Sequence, residues 1–155
     1  MWKTDISHSD RIGESHDDTF YCDDSRLLIN SPCNSVPRIS KIDVYHDGEK
    51  LHGFQVFYFE DVEVGHHIGS EVYKQTRCDS IHLDEDEYIT KVIVLNDEII
   101  DGIEFHTNKG KTAHFGDSEK GEYSKTEVEV PSGKRILSIK GGFNKYLDNL
   151  QFYFA

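Results

Sequence analysis

Long hydrophobic runs are missing from the sequence, and methionine, tryptophan and proline are scarce, with one, one and three copies among 155 residues. No stretch approaches the roughly 18 consecutive apolar residues that a membrane-spanning helix requires, so the sequence predicts no membrane insertion. Residues 1–5 also lack the apolar segment of a signal peptide. If the protein is secreted, we expect that a signal has been removed or that the route is unconventional.

Basic residues are outnumbered in this chain. Lysine and arginine contribute 17 residues against 29 aspartates and glutamates, which gives a formal net charge of -12. Because nucleic acids are bound by clustered Lys and Arg, this balance predicts no nucleic-acid partner. It disfavours anionic membranes and sulfated glycans for the same reason. A neutral ligand, or a cation such as calcium, fits such a surface better.

Cysteine is also rare, and the three residues Cys22, Cys33 and Cys78 show no CxxC spacing. That pattern disfavours a zinc site. Two interpretations stay open. The first is three free thiols, partly buried. The second is one disulfide among these cysteines and one thiol left for a partner chain, which an oxidising compartment would permit.

Metal-binding and catalytic motifs are not found either. Adjacent residues on a strand point to opposite faces of a sheet, so His66 and His67 would not converge on one ion. The acidic turn at residues 84–87 lacks the Asp/Asn alternation and the glycine of an EF-hand loop. The sequence contains no Gly-x-Ser-x-Gly, His-Glu-x-x-His or phosphate-binding loop. We therefore expect no metal, no cofactor and no enzymatic activity.

The sequence is instead rich in aromatic residues, with eight Tyr and nine Phe, set in short alternating runs that are typical of strands. The runs predict strands at residues 38–45, 51–59, 80–83, 88–95, 100–107, 111–115, 135–141 and 147–154. Short strands at this spacing favour an all-β sandwich, barrel or prism. We predict that residues 1–11 form an N-terminal arm, mobile or added to a sheet edge, and that residues 12–155 form one domain.

Five groups of segments follow one another in a recognisable order. They read DTFYCDD at 18–24, ISKIDV at 39–44 with GFQVFY at 53–58, IHLDEDEYI at 81–89, FHTNKG at 105–110 with FG at 115–116, and IKGGF at 139–143 with LD at 147–148. Together they resemble the jacalin-related lectins, over residues 12 to 155. The most specific parts are the Thr-Asn-Lys-Gly hairpin and the Leu-Asp near the C-terminus.

This resemblance implies a β-prism of three four-stranded antiparallel sheets around a pseudo-threefold axis, with the first strand paired to the C-terminal strands. It also implies a carbohydrate site in a Gly-x-x-x-Asp loop at one end of the prism. The carboxylate in such a loop accepts hydrogen bonds from two adjacent sugar hydroxyls while backbone N–H groups donate to the same sugar. In this sequence Asp148 takes the carboxylate role, Lys145 and Tyr146 supply the N–H groups, and the Tyr146 ring can lie against the sugar.

Two loops depart from the family pattern. Asn144 replaces the glycine of the binding loop, although asparagine tolerates a left-handed backbone better than most residues. The N-terminal loop has only Gly13 where the family carries several glycines, followed by the bulkier, more acidic residues 14–18. A further loop at 95–98 occupies the position of the remaining contact loop. Its Leu95 and Asn96 are candidate contacts to a second sugar ring, or belong to an ordinary hairpin turn.

The resemblance therefore implies a non-catalytic lectin for neutral hexoses. In the family, galactose specificity accompanies a chain cleaved beside the site, so we expect this uncleaved chain to favour mannose, glucose or their small oligosaccharides. We expect a secreted protein that gains avidity as a homodimer or higher oligomer, with a disulfide as one means of linking the chains. The alternative is a secreted, acidic interaction or matrix protein that binds calcium or a mineral surface through acidic loops such as 84–87.

Overall fold

A computed structural model describes residues 2–16, 19–59, 67–68, 76–117 and 124–155 of the chain. These residues form a short 3-10 helix at Trp2–Thr4, one α-helix and thirteen β-strands. The helix α1 spans Ser25–Ile29. The strands in chain order are β1 (Ser7–His8), β2 (Ile12–Gly13), β3 (Phe20–Cys22), β4 (Ile39–His46), β5 (Leu51–Tyr58), β6 (His67–Ile68), β7 (Arg77–His82), β8 (Ile89–Asn96), β9 (Ile100–Thr107), β10 (Thr112–Gly116), β11 (Ser124–Glu129), β12 (Ile136–Phe143) and β13 (Leu147–Phe154).

The strands form three antiparallel sheets. The first has the order β1-β13-β12-β3 with β2 also paired to β13, the second β10-β9-β8-β11, and the third β6-β5-β4-β7. A hairpin of two eight-residue strands lies at the centre of each sheet: β12–β13, β8–β9 and β4–β5. This arrangement confirms the predicted β-prism.

The three central hairpins share the same irregularities. Each shows one register shift near the start of its first strand and a second shift beside its tip. The first shifts fall between Ile39 and Lys41, Ile89 and Lys91, and Ile136 and Ser138; the second fall between Tyr45 and His46, Leu95 and Asn96, and Gly142 and Phe143. Because bulges bend a strand and increase its twist, their repetition gives the hairpins one common shape, as the expected pseudo-threefold symmetry requires.

The core lies where the inner faces of the three sheets meet. Ile42, Val92 and Phe152, one from each central hairpin, are all 0% exposed. Burial of such a side chain stabilises the fold by about 1.5–3 kcal/mol. From Ile42 to His46, β4 alternates buried and half-buried residues, which is the pattern of a sheet with one face in the core. The sheets therefore cover one another without help from a large helix.

The N-terminal residues add to the edge of the first sheet. Ser7 pairs with Phe154 in β1, and Gly13 pairs with Asn149 in β2, so two short segments follow the outer side of β13 in succession. This sheet therefore has five strands rather than the four expected, because its edge is made of two pieces. Residues 7–8 are thus added to a sheet edge, whereas the domain boundary at residue 11 stays a prediction.

Besides the 3-10 helix and the short strands β1, β2, β3 and β6, two elements were not predicted from the alternating pattern. In β11 only Val128 is buried, so this edge strand carries almost no apolar signal. The helix α1 has five residues, too few for helical periodicity. Its first turn is held by a hydrogen bond from the Ser25 N–H to Asp23 Oδ1 at 2.9 Å, and its Leu28 is 0% exposed.

All three cysteines are free thiols. Cys22 lies on β3 of the first sheet and Cys78 on β7 of the third, while Cys33 follows α1 in a loop. The structure shows no disulfide among these three cysteines, so the interpretation with one disulfide within the chain stays unconfirmed. Because the Cys78 thiol is exposed, a disulfide between two chains stays a prediction.

A pair of glycine variants tests how tightly the sheets close at the hairpin tips. Gly116 has φ +86°, and an added Cβ would meet the Asp101 carbonyl oxygen; Gly110 has φ +81° with nothing within 4 Å. Both Gly→Ala changes incur a left-handed backbone cost of about 1–2 kcal/mol. We expect Gly116→Ala to lower the free energy of unfolding by at least about 1 kcal/mol more than Gly110→Ala, through overpacking. Equal losses of unfolding free energy for the two variants in urea melts would contradict the close approach of Gly116 to the Asp101 carbonyl oxygen.

Candidate functional site

The tip of the β12–β13 hairpin carries the residues expected to bind sugar. The Asn144 N–H donates to the Tyr146 carbonyl oxygen at 3.1 Å, which closes the turn. Lys145 is exposed at its apex, and Asn144 and Tyr146 are half-buried. Leu147, at 1% exposure, anchors the turn in the core directly before Asp148. The hairpin therefore holds Asn144, Lys145, Tyr146 and Asp148 together.

Asp148 is buried beneath the N-terminal loop. The residue is 3% exposed, and its Oδ2 accepts a hydrogen bond from the Thr19 hydroxyl at 2.8 Å. His16 Nδ1 lies 3.3 Å from the same oxygen, and the His16 N–H donates to Thr19 Oγ1 at 2.8 Å. The loop with few glycines thus places its own hydroxyl on the carboxylate that the resemblance assigns to sugar.

A small polar network supports the loop from below. The Asn149 side-chain amide donates to the Glu14 carbonyl oxygen at 3.0 Å and to the Tyr21 hydroxyl at 3.4 Å. The Tyr21 hydroxyl is also hydrogen-bonded to Ser15 Oγ at 2.5 Å, and this bond is the main reason why the pKa of Tyr21 is lowered. Gly142 leaves room for the network, because a Cβ there would lie 2.5 Å from the Asn149 amide nitrogen.

The neighbouring β4–β5 hairpin packs against the Tyr146 ring. The His52 ring meets it edge-on with ring centroids 5.2 Å apart, and Lys50 Nζ lies 5.3 Å from its centroid. A cation over a ring face is favourable, so this contact fixes one face of Tyr146. The predicted stacking of a sugar on the ring is therefore limited to the face that Lys50 leaves open.

The loop at 95–98 lies near this end of the prism but offers fewer candidate contacts to sugar than expected. A Cβ at Gly13, whose neighbour in the sheet is Asn149, would lie 3.2 Å from Ile100 Cδ1, so this loop's hairpin adjoins the Asp148 region. However, Leu95 is 3% exposed, which leaves its side chain in the interior rather than available to a sugar ring. Asn96 is half-buried, and its Oδ1 has no hydrogen-bond partner among the described residues.

A further buried carboxylate, Asp101, lies on β9 of the second hairpin and was not predicted from the sequence. It is 5% exposed, and its Oδ2 has no hydrogen-bond partner in the described part of the chain. Burial, together with the charges of Asp97 and Asp117, raises its pKa to about 6, against the opposing effects of the Asp97 N–H and Lys50. The signal was present in the Asp-x-x-x-Asp spacing of residues 97–101, which matches that of Asn144 and Asp148.

The acidic turn at residues 84–87 lies elsewhere and is largely neutralised. Lys109 Nζ lies 2.6 Å from Asp86 and 3.3 Å from Asp84, and Lys111 Nζ lies 3.1 Å from Glu87. No group of three or more His, Cys, Asp or Glu within the described ranges is arranged to hold a metal ion; His66 lies outside those ranges. This turn therefore gives no support to the calcium-binding alternative.

A second concave surface lies beside that turn. It is a groove of about 630 Å³ whose walls include the first residues of all three central hairpins, Ile39, Ile89 and Ile136, together with Glu85 and Tyr88. Since these hairpins begin here and turn at their other ends, the groove and the hairpin tips occupy opposite ends of the prism. No helix in the described part of the chain is long and apolar enough to cross a membrane.

Three antiparallel sheets packed as a prism are the architecture of a β-prism lectin domain. The model of the Jacalin-like lectin domain family matches residues 10–153, and the chain belongs to this family. Jacalin-like lectins bind carbohydrate without catalysis, which agrees with the expectation of no enzymatic activity. No curated protein sequence matches the chain significantly.

Solved structures share the fold at low sequence identity. Artocarpin complexed with methyl-α-mannose is 19% identical with a TM-score of 0.73, over 97% of each chain. Frutalin from Artocarpus incisa is 17% identical with a TM-score of 0.72, over 97% of this chain and 95% of that one. A mannose-binding jacalin-related lectin from Ananas comosus is 17% identical with a TM-score of 0.67, over 96% of both.

The raised pKa of Asp101 predicts a pH-dependent stability difference. Its folded pKa of about 6 exceeds the ordinary value of 3.8, so in this window the native state binds more protons than the unfolded state. Ionisation of Asp101 therefore costs stability as pH rises through the window. We expect Asp101→Asn to be more favourable, relative to the parent, at about pH 7 than at about pH 4. Thermal melts at both pH values measure this difference, and a difference independent of pH would contradict it.

Proposed function

We propose that the protein is a lectin that binds neutral hexoses of the mannose or glucose type at the β12–β13 tip, with Asp148 as the principal acceptor. The observation that carries this proposal is the hydrogen bond from the Thr19 hydroxyl to Asp148 Oδ2 at 2.8 Å. In that bond a buried carboxylate already receives a hydroxyl donor. A sugar hydroxyl offers the same donor group, and bonds to a charged acceptor are stronger than neutral ones.

Sugar binding in this proposal is an exchange of hydroxyl groups. The sugar displaces Thr19 from Asp148 and places a second hydroxyl near the same carboxylate, while the backbone N–H groups of Lys145 and Tyr146 donate to sugar oxygens. The exchange preserves the hydrogen bond to Asp148, so the buried carboxylate is never left without a donor, which would be costly. The cost lies in moving the loop that carries His16 and Thr19.

The preference for neutral hexoses rests on charge. The chain carries a net charge of -12, and Glu14 stands in the loop above the site, so sialic and uronic acids would be repelled. The choice of mannose or glucose is supported by two fold relatives, the mannose-binding lectin from Ananas comosus and artocarpin complexed with methyl-α-mannose. At 17–19% identity, those relatives share the fold, and the sugar stays a proposal.

Location and assembly complete the proposal. A lectin with a weak monosaccharide site gains avidity when several copies face a glycan surface, so we propose a secreted homodimer or higher oligomer. Cys78 is exposed and free, which makes it the thiol best placed to link two chains under oxidising conditions.

A glycan array with three variants tests the proposal. We expect the parent protein to bind neutral hexosides and Asp148→Ala to lose that binding, whereas Asp86→Ala, at the other end of the prism, serves as the matched control and retains it. Thr19→Val removes the competing hydroxyl with little change in shape. A net hydrogen bond contributes about 0.5–1.5 kcal/mol, so we expect Thr19→Val to bind up to about tenfold more tightly.

Two results would contradict this proposal. Hexoside binding that survives Asp148→Ala would place the sugar elsewhere. Binding lost in Asp86→Ala but not in Asp148→Ala would favour the acidic turn as the functional surface. Circular dichroism of each variant verifies that the prism is intact, since Asp148 is buried.

A further inference from the structure

The groove opposite the hairpin tips has an apolar floor. Four aliphatic residues form this groove floor: the first residues of the three central hairpins and the residue after β7, which are Ile39, Ile89, Ile136 and Leu83. Each is only 3–6% exposed, so the floor is the end of the hydrophobic core. A groove of about 630 Å³ has the size of a small-molecule site, and such sites are mostly apolar with a few polar groups.

One wall of the groove holds Arg135 in a fixed position. Its backbone N–H donates to the Ala155 carbonyl oxygen at 2.9 Å, and its carbonyl oxygen accepts from the Ala155 N–H at 3.0 Å. Its Nη1 donates to the Lys134 carbonyl oxygen at 2.8 Å, and its guanidinium carbon lies 3.4 Å from the centroid of the Tyr88 ring. These contacts fix the plane of a guanidinium group whose fork of N–H donors matches a carboxylate.

Arg135 has no acidic partner within the described ranges. Its side chain there contacts a carbonyl oxygen and an aromatic ring, although the chain contains 29 aspartates and glutamates. The residue is half-buried, and a charge that is partly removed from water is unfavourable unless it is paired. A guanidinium group has five N–H donors, so those that Lys134 leaves unused can serve an anionic ligand in the groove.

The acidic residues that also line the groove are mostly paired with lysines. Asp86 lies 2.6 Å from Lys109 Nζ. Glu87 is 5% exposed, and its carboxylate lies 3.1 Å from Lys111 Nζ. Glu85 is exposed to solvent. The lysines therefore offset two of the three negative charges on this wall.

Arg38 brings a second guanidinium group to the groove. Its Nη1 donates to the Glu85 carbonyl oxygen at 2.9 Å, and its guanidinium carbon lies 5.5 Å from the centroid of the Phe59 ring. Arg38 and Arg135 both line the groove, in a chain whose net charge is -12. Opposite charges attract across a binding surface, so this charge distribution favours a ligand with one negative charge.

We propose that the groove binds a small amphipathic carboxylate, whose aliphatic body lies on the groove floor and whose carboxylate accepts hydrogen bonds from the Arg135 guanidinium group. An aliphatic body fits because the floor consists of branched aliphatic side chains and Arg135 already covers one face of Tyr88. The inference does not depend on the proposed hexose binding, since the groove and the hairpin tips occupy opposite ends of the prism. The chain would then bind a sugar at one end and an amphiphile at the other.

Isothermal titration calorimetry with three probes of similar chain length tests the proposal. The probes are octanoate, 1-octanol and octyltrimethylammonium, each below the concentration at which micelles form. We expect octanoate to bind about tenfold or more tighter than octanol, because hydrogen bonds to charged groups are stronger than neutral ones. Octyltrimethylammonium should bind more weakly than octanol. From butanoate to octanoate, affinity should rise by up to about fourfold for each added CH₂ group.

Three variants examine the role of Arg135. Arg135→Gln should lower octanoate affinity by about tenfold or more and leave octanol affinity unchanged. Arg135→Lys keeps the charge without the fork of donors, so its octanoate affinity should fall between those of the parent and Arg135→Gln. Arg77→Gln is the matched control, because Arg77 is exposed and pairs with His46 at the hairpin-tip end; it should bind octanoate as the parent does. Thermal melts verify that each variant folds.

Several results would overturn the proposal. A parent that binds no octanoate lacks the site. Equal affinities for octanoate and octanol, or unchanged octanoate affinity in Arg135→Gln, would contradict the role of Arg135. Tighter binding of octyltrimethylammonium would make the acidic wall at Glu85 the recognition group. Methyl α-D-mannoside should not compete with octanoate, and competition between them would contradict the placement of octanoate in the groove.

Discussion

Three sheets with little helix among the described residues must bury one face each against the other two. This constraint organises the molecule, because each sheet can meet it only by pairing two long central strands whose inner residues fill the common core. Ile42, Val92 and Phe152, all 0% exposed, occupy that core from three sides. The hairpin tips then gather at one end of the prism, and the strand starts gather at the other. The tips are turns and not core, so they are free to carry binding residues.

The N-terminal segment determines how the first of these tips is used. It follows β13 as two short strands and then crosses above Asp148. In a glycine-rich loop the backbone itself would approach a ligand, but here His16 and Thr19 stand over the carboxylate. In the proposed function the Thr19 hydroxyl therefore takes the place of a sugar hydroxyl on Asp148. The proposed affinity at this tip then depends on how readily the sugar displaces that hydroxyl.

Much of the fold was predictable from the sequence, for reasons that differ between elements. The central strands carry strong alternation and matching segment motifs, so the prism and its hairpins were predicted correctly. The edge strand β11 has one buried residue, Val128. Its sequence therefore lacks the apolar alternation from which a strand is predicted. The free state of Cys22, Cys33 and Cys78 depends on three-dimensional separation, which spacing along the chain does not contain.

The candidate site was predictable only in part. Asp148 and its tip followed from the resemblance, but the cover by Thr19 depends on a contact across 129 residues of chain. Leu95 was a plausible loop contact by position, yet its side chain turns inward. Asp101 was not predicted because its spacing from Asp97 resembles an ordinary acidic turn until its burial and the close approach of Gly116 are known. Burial, which residue type alone does not reveal, distinguishes Asp101 and Asp148 from the solvated carboxylates of the chain.

The most direct test of the account is the pattern of backbone amide chemical shifts when methyl α-D-mannoside is titrated into the isotopically labelled protein. We expect saturable shifts at the hairpin-tip end, with Lys145 and Tyr146 among the most affected amides. Shifts confined to the opposite groove around Glu85 and Tyr88, or no shifts with any neutral hexoside, would contradict it.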